Sequence, residues 1–599
     1  MPRQSLLMAT ILCALLPAVQ AFAGYTERVS VSSAGVQADG SSELPSVSGD
    51  GRFVAFDSNS DNLAPGVTDG QQHVFVRDRA AGTTECASLD SSGEPILGWG
   101  ARLSSDGRYV AFQSFKLSPG GQQRAVAYVR DREDGVTELA SMNSAGEEIE
   151  GDSWLNGLSG DARCVLLAAT APNLEPGVLG GLYVRDRLQG TTELVSVDSA
   201  GRHMSGGGDG ADISADGRLV AWAAQEDAPP GAPGVWLGLD IRDRLTNQTD
   251  RVGGIGTGAT QLAYVVDPSI SADGRFVAFE CPAAFLSPTP PLQGDQIFLF
   301  DRVTCALAKV SLSDAGEEAN WNAFNPVVSA DGRFVAFWAE GMSTSDLLVR
   351  DRIAGRTQRV SVNDSGQSAA SADAPYSMSA DGRVVAFDSA RSDVVPGDTN
   401  DQPDVFAYDR LTFSDVPVDF WAYYDIEGCL NGGVVSRATD RLFHPSEAVT
   451  RDVMASFIAR AMAGGDAQVP EGPATPSFPD VPPDYWAYKY VEYARAHGIV
   501  TGYRDGLYHP ERTVDRGQMA VFVARAMVGG DAYVPRQVDR PVHFADIVGS
   551  LNSEFYKYVE FLVQEGIVKG YPDRLYHPEL TCTKDQIAVF LARAFKLPI

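Results

Sequence analysis

The chain has 599 residues, 78 acidic against 48 basic, and a formal charge of −30. So negative a surface repels nucleic acid and anionic membranes, which excludes both as partners. Seven cysteines with no Cys-x-x-Cys pair exclude a disulfide-stapled scaffold.

Residues 1–23 read as a secretory signal, with Arg3, an apolar run from Leu6 to Leu16 and the small-x-small site Ala21-Phe22-Ala23. The run is too short to span a bilayer, and no other long apolar stretch follows. An exported protein without a transmembrane segment is expected.

From 24 to 411 the phrase Ser-x-Asp-Gly-Arg-x-Val-Ala-Phe recurs seven times, with its aspartate at 50, 106, 161, 216, 273, 331 and 381. The third copy is worn to Asp161-Ala162-Arg163. A second phrase, Val76-Arg77-Asp78-Arg79 in the first copy, follows each one. A period near 55 residues is within reach of a four-stranded propeller blade. The run Arg52-Phe53-Val54-Ala55-Phe56 is apolar on both alternating faces, as in a strand sandwiched between neighbouring sheets. Asp50-Gly51 before it signals a hairpin turn, and Gly82 takes a left-handed position in the next one. A residue needed once for chemistry is not needed seven times, so the repeated Asp and Arg read as scaffold.

The seventh repeat stops at Arg410 and lacks its last strand. An unpartnered copy of that strand lies at 25–31, Thr26-Glu27-Arg28-Val29-Ser30-Val31. Their pairing predicts a closed seven-bladed β-propeller with no exposed sheet edge.

Within the ring, Asp398 to Asp404 gathers oxygen ligands but matches an EF-hand loop poorly, and no metal or cofactor is expected. Only His73 and His203 fall in the ring, on different blades, so a His-rich metal lyase site cannot be built. A Gly-x-Ser-x-Gly elbow is absent. Paired carboxylates for glycoside hydrolysis stay open, because their separation decides the matter.

Near residue 412 the texture changes. Three units open on Phe413-Ser414-Asp415, Phe478-Pro479-Asp480 and Phe544-Ala545-Asp546, spaced 65 and 66 residues apart. Each continues with an aromatic helix start (Phe420-Trp421-Ala422, Tyr485-Trp486-Ala487, Phe555-Tyr556-Lys557), then a His-Pro turn at His444, His509 or His577. Each closes on a helix with apolar residues at helical spacing. Cys429 and Cys582, in the first and third units, could meet if the units pack in a ring. With only Leu411 and Thr412 between blade and helical unit, a fixed angle between the two domains is expected.

The propeller phrases resemble the WD40-like (PD40-type) repeats of the TolB family, where Ser-Pro-Asp-Gly-Lys precedes an apolar strand. Here Ala, Gly or Ser replaces Pro, and Arg replaces Lys. The units 412–463, 478–528 and 544–596 resemble S-layer homology (SLH) domains. That resemblance implies a mainly α-helical, pseudo-threefold module that attaches exported proteins to the cell envelope through acidic cell-wall polysaccharide. The family marker Thr-Arg-Ala-Glu reads here Thr450-Arg451-Asp452-Val453, Asp515-Arg516-Gly517-Gln518 and Thr583-Lys584-Asp585-Gln586. The cation survives and the Glu does not. An Arg beside a helix N-terminus completes an anion site and grips a carboxylate with two bonds. The resemblance implies that Arg451, Arg516 and Lys584, with Trp421 and Trp486, line glycan grooves. The alternative is that the cations salt-bridge neighbouring units and the tryptophans are core.

The expectation is a multidomain, envelope-anchored protein: an all-β seven-bladed propeller with no catalytic groups, acting as a binding or scaffold domain for an unknown protein or glycan, then a wall-gripping SLH module. The alternative is an envelope-attached carbohydrate-active enzyme with a carboxylate site at the propeller mouth.

Overall fold

The computed structural model describes residues 24–118, 121–175, 177–178, 180–204, 206–226, 236–252, 265–282, 294–318, 321–341, 345–363, 367–369, 375–436, 442–535, 543–548 and 554–597. The secretory-signal segment 1–23 lies outside them. Residues Gly24–Arg410 form one compact unit and the chain from Leu411 onward forms a second.

The first unit is a seven-bladed β-propeller of seven four-stranded antiparallel sheets. The first blade runs, from channel to rim, Ser42–Val47, Phe53–Ser58, His73–Asp78 and Thr83–Cys86. Val54, Ala55 and Phe56 are fully buried, because both faces of the second strand meet packed side chains. The last blade is assembled from both ends of the unit. Tyr25–Arg28 is its outermost strand, beside Asp404–Asp409, then Val384–Ser389 and Tyr376–Met378. Tyr25 lies opposite Asp409 and Arg28 opposite Phe406. Arg28 Nε also lies 3.0 Å from Asp404, and Gln37 donates to both Asp398 and Asp404. The oxygen-rich loop is therefore tied to the N-terminal segment by a cation and an amide.

The repeated residues hold the blades. Ser48 Oγ and the Arg52 N–H both donate to Asp50, at 2.7 and 2.9 Å, which fixes the turn. Arg52 then clamps Asp78 with bonds of 2.6 and 3.0 Å. In the second blade the equivalent Arg108 holds the Asp131 carboxyl down at about 2. Gly51 sits at φ 73°; in the worn copy Ala162 adopts φ 57°, so the turn survives the loss of its glycine at the expense of strain. The last Arg of the second phrase bridges blades: Arg79 donates to Gly51 O within its own blade and lies 2.5 Å from Glu27 on the outermost strand of the last.

A further ring closes around the axis. At the variable position of the Ser-x-Asp-Gly-Arg phrase, each N–H donates to the equivalent carbonyl one blade on. The chain of donors is Gly49 to Ser105, Ser105 to Gly160, Gly160 to Ala215, Ala215 to Ala272, Ala272 to Ala330, Ala330 to Ala380 and Ala380 back to Gly49, at 2.8 to 3.1 Å. All seven residues are small. A Cβ on Gly160 would come 2.7 Å from Ser105 Oγ and 3.1 Å from the Ala215 methyl.

The second unit contains three helix pairs: α1 (Tyr423–Asn431) and α2 (Arg451–Ala463), α3 (Tyr488–Ala496) and α4 (Arg516–Val528), α5 (Tyr556–Gln564) and α6 (Lys584–Phe595). They pack cyclically, α2 on α3, α4 on α5 and α6 on α1. At the pseudo-threefold axis three extended segments pair in a closed triangle. The N–H of Val449 donates to Cys582 O, that of Cys582 to Val514 O, and that of Val514 to Val449 O, each at 2.9 Å. Cys582 is thus the third member of an apolar trio on the axis, while the Cys429 thiol on α1 donates to Ala588 O on α6. Both thiols are buried and free, so the two cysteines that could have met do not.

Each helix pair is locked by the same acid. Asp415 accepts the N–H groups of Phe443 and His444, Asp480 those of Tyr508 and His509, and Asp546 those of Tyr576 and His577. The three histidines lie at φ 54° to 58°, in left-handed turns that these carboxylates pin.

Candidate functional site

The three cations of the Thr-Arg-Ala-Glu-like marker begin α2, α4 and α6, but their surroundings differ. Arg516 is nearly buried. Its guanidinium stacks between the rings of Tyr571 and Tyr576, each 4.7 Å from the ring centroid, and Nε donates to Tyr576 O at 3.0 Å. Among the described residues it makes no ion pair. The outer edge opens into a groove of about 460 Å³ whose walls include Trp421, Lys569, Tyr571, Asp585 and Gln586. Trp421 is 59% exposed, and its indole N–H donates to Asp585 at 3.1 Å. A half-exposed aromatic face, a cation with unused donors and a carboxylate thus share one groove, contributed by all three helix pairs.

The equivalent residues of the next groove are Trp486 and Asp452. The Trp486 indole N–H donates to Asp452 at 3.2 Å and the Tyr485 hydroxyl at 2.6 Å. The cation of α6 is Lys584, and its ammonium is held 2.5 Å from Glu447 of the first pair. For Lys584 the salt-bridging alternative holds. For the tryptophans the core alternative does not, since Trp486 is also 53% exposed.

The third groove is incomplete. The residues preceding α1, α3 and α5 are Ala422, Ala487 and Phe555. The tryptophan position of the third pair is therefore Glu554, not an aromatic of Phe555-Tyr556-Lys557; the sequence alignment, which set Tyr556 against Trp421 and Trp486, was two residues out. The aspartate position is Gly517, where a Cβ would fall 2.7 Å from the Phe555 ring. Arg451 is buried against Tyr503 and Tyr508 and donates to Tyr508 O at 2.9 Å. Of the five residues singled out in the sequence, Trp421 and Arg516 line one cavity together. Asp452, Asp585 and Tyr485 carried no separate signal, because Asp585 and Trp421 are 164 residues apart and meet only through the cyclic packing.

Residues 477–520 and 543–588 match the family model described as the S-layer homology domain. Residues 413–463 fold into the same helix-pair pattern. Curated relatives include a cellulosome-anchoring protein of Acetivibrio thermocellus, 25% identical over 155 residues, which are 26% of this chain and 34% of that protein. The S-layer protein EA1 of Bacillus anthracis is 29% identical over 147 residues, 24% of this chain and 16% of that protein. The chain thus spans about a third or less of the length of these relatives. Among solved structures, a putative TolB from Agrobacterium tumefaciens aligns over 45% of this chain and 79% of its own, with 16% identity and a TM-score of 0.28.

Proposed function

We propose that the second unit fastens this exported chain to an acidic polysaccharide of the cell wall, and that the groove of Trp421, Arg516 and Asp585 is its principal contact. The observation that carries this reading is Arg516: a guanidinium with no carboxylate partner among the described residues, opening beside an exposed indole. The indole offers a face for a sugar ring, and the guanidinium offers parallel N–H donors for a carboxylate or ketal acid. The SLH match and the anchoring and S-layer relatives support the same reading. The propeller, whose repeated acids and arginines are engaged in scaffolding, is the displayed, non-enzymatic body.

Cosedimentation of the full chain with purified cell-wall sacculi tests this. Trp421→Ala, a surface substitution, and Arg516→Gln are expected to weaken binding by about tenfold or more, while Trp486→Ala and Lys584→Ala change it by about threefold or less. Thermal melts verify that each variant is folded. Sedimentation of Trp421→Ala indistinguishable from wild type would sink the assignment of this groove.

A further inference from the structure

In the propeller channel, one residue from each innermost strand occupies an equivalent position: Ser46, Arg102, Gly157, Asp212, Ser269, Val327 and Ser377. Four of these serve the next blade as acceptors. Ser46 accepts the Leu103 N–H at 3.0 Å, Asp212 that of Ile270 at 2.9 Å, Ser269 that of Val328 at 3.2 Å and Ser377 that of Val47 at 3.1 Å. Arg102 has no acceptor to offer. The following blade carries Gly157 at the equivalent position. The second blade has exchanged a scaffold contact for a cation.

That cation is unspent. Arg102 faces the channel lumen, and its hydrogen bond is from Nη1 to its neighbour Ala101 O at 3.0 Å. Among the described residues no carboxylate lies within ion-pair distance of it. Two acids, Asp57 and Asp212, hold backbone N–H groups, and Asp57 keeps a second oxygen without a partner. Asp57 accepts the Gly100 N–H at 2.7 Å, and Asp212 accepts those of Ile213 and Ile270 at 2.8 and 2.9 Å. Burial raises both carboxyls above the usual carboxylate range. The lumen here is a cavity of about 480 Å³, within the range that holds small ligands, and its other polar walls include Asn156, Asn325, Tyr376 and the carboxylates of Asp212 and Asp267.

We propose that this channel binds a small polyhydroxylated carboxylate, a sugar acid, with the carboxylate in the fork of Arg102 and the hydroxyl groups on the amides and serines around it. A guanidinium with several N–H donors unused complements a carboxylate bidentately, whereas hydroxyl groups can bond the amides and serines and donate to the Asp267 carboxylate of the walls. The site is separate from the grooves of the second unit, so either can fail without the other.

Calorimetric titration of the full chain with D-glucuronate is the test, with D-glucose and acetate as controls. Saturable binding of glucuronate is expected, with glucose and acetate each weaker by about tenfold or more. Arg102→Gln is expected to remove at least ~90% of the affinity, and Arg102→Lys, which keeps the charge and loses the fork, to weaken it by a smaller factor. Unfolding midpoints verify that both variants fold. Unchanged affinity in both variants overturns the proposal, as does no saturable glucuronate binding up to ~50 mM. Acetate binding as tightly as glucuronate overturns the sugar-acid assignment.

Discussion

Just after Val-Ala-Phe, a side chain of the second strand in three blades accepts an N–H from the innermost strand of the next blade. In the second blade the job falls to an amide: Gln113 accepts the Leu155 N–H at 2.7 Å. In the first and fifth blades it falls to carboxyls. Asp57 accepts from Gly100 at 2.7 Å and Glu280 from Asn325 at 3.3 Å. Asp57 has a second oxygen buried without a partner. Burial pushes both carboxyls up to about 7, and Asp388 of the last blade likewise. The folded chain therefore holds more protons than the unfolded chain between about pH 4 and pH 7, so these groups make stability fall as pH rises through that window. Asp57→Asn should copy the Gln113 arrangement and remove one such contribution. Relative to wild type, the variant is expected to gain on the order of 2–4 kcal/mol between pH 4 and pH 8. Urea midpoints at the two pH values measure it, and an equal difference at both would refute the titration of Asp57. Nothing in the sequence distinguished Asp57 from the many solvated acids, because its carboxyl is defined by a neighbour in another blade.

At the scale of elements, the ring of seven axial hydrogen bonds gives a reason for a departure that the sequence displays without explaining. TolB-like repeats carry Pro before Asp-Gly, and Pro has no N–H to donate. Here Gly, Ser or Ala stands at every copy, and every copy donates. Ala330→Pro removes the bond to Ala380 O and is expected to destabilise the propeller by about 1–2 kcal/mol, while Ala330→Ser stays within about 0.5 kcal/mol. Denaturant midpoints decide it; a proline variant as stable as wild type would mean the ring contributes nothing. Strands and turns were legible because each blade repeats its own local pattern: an apolar run after Asp-Gly, and Gly82 at φ 69° as its position requires. The helix pairs were legible for the same reason. Their grooves were not, since Trp421 meets an Asp585 that lies 164 residues along the chain, and Glu554 stands where alignment by aromatic residues placed Tyr556.

For the propeller as a whole, circular closure depends on Tyr25–Arg28, a four-residue strand, supported by Arg28 on Asp404 and Ser30 Oγ donating to Asp404 at 2.6 Å. Deleting residues 25–31 leaves Asp404–Asp409 with an unpaired edge and strands Asp404, a buried carboxylate, without its cation. A loss of about 3 kcal/mol or more, with aggregation on heating, is the expected result by differential scanning fluorimetry and light scattering. An unchanged melting profile would show that the ring closes without that strand. The sevenfold count was legible from the number of phrases.

Asp404–Asp409 is the last strand before the chain leaves for the helices, and it lies between Val384–Ser389 and Tyr25–Arg28. Tension transmitted along the backbone from a tethered C-terminal half would therefore load a strand laddered on both flanks. Such a pull must shear two rows of amide bonds together instead of unzipping a free margin, so the segment that takes the load is riveted on both sides.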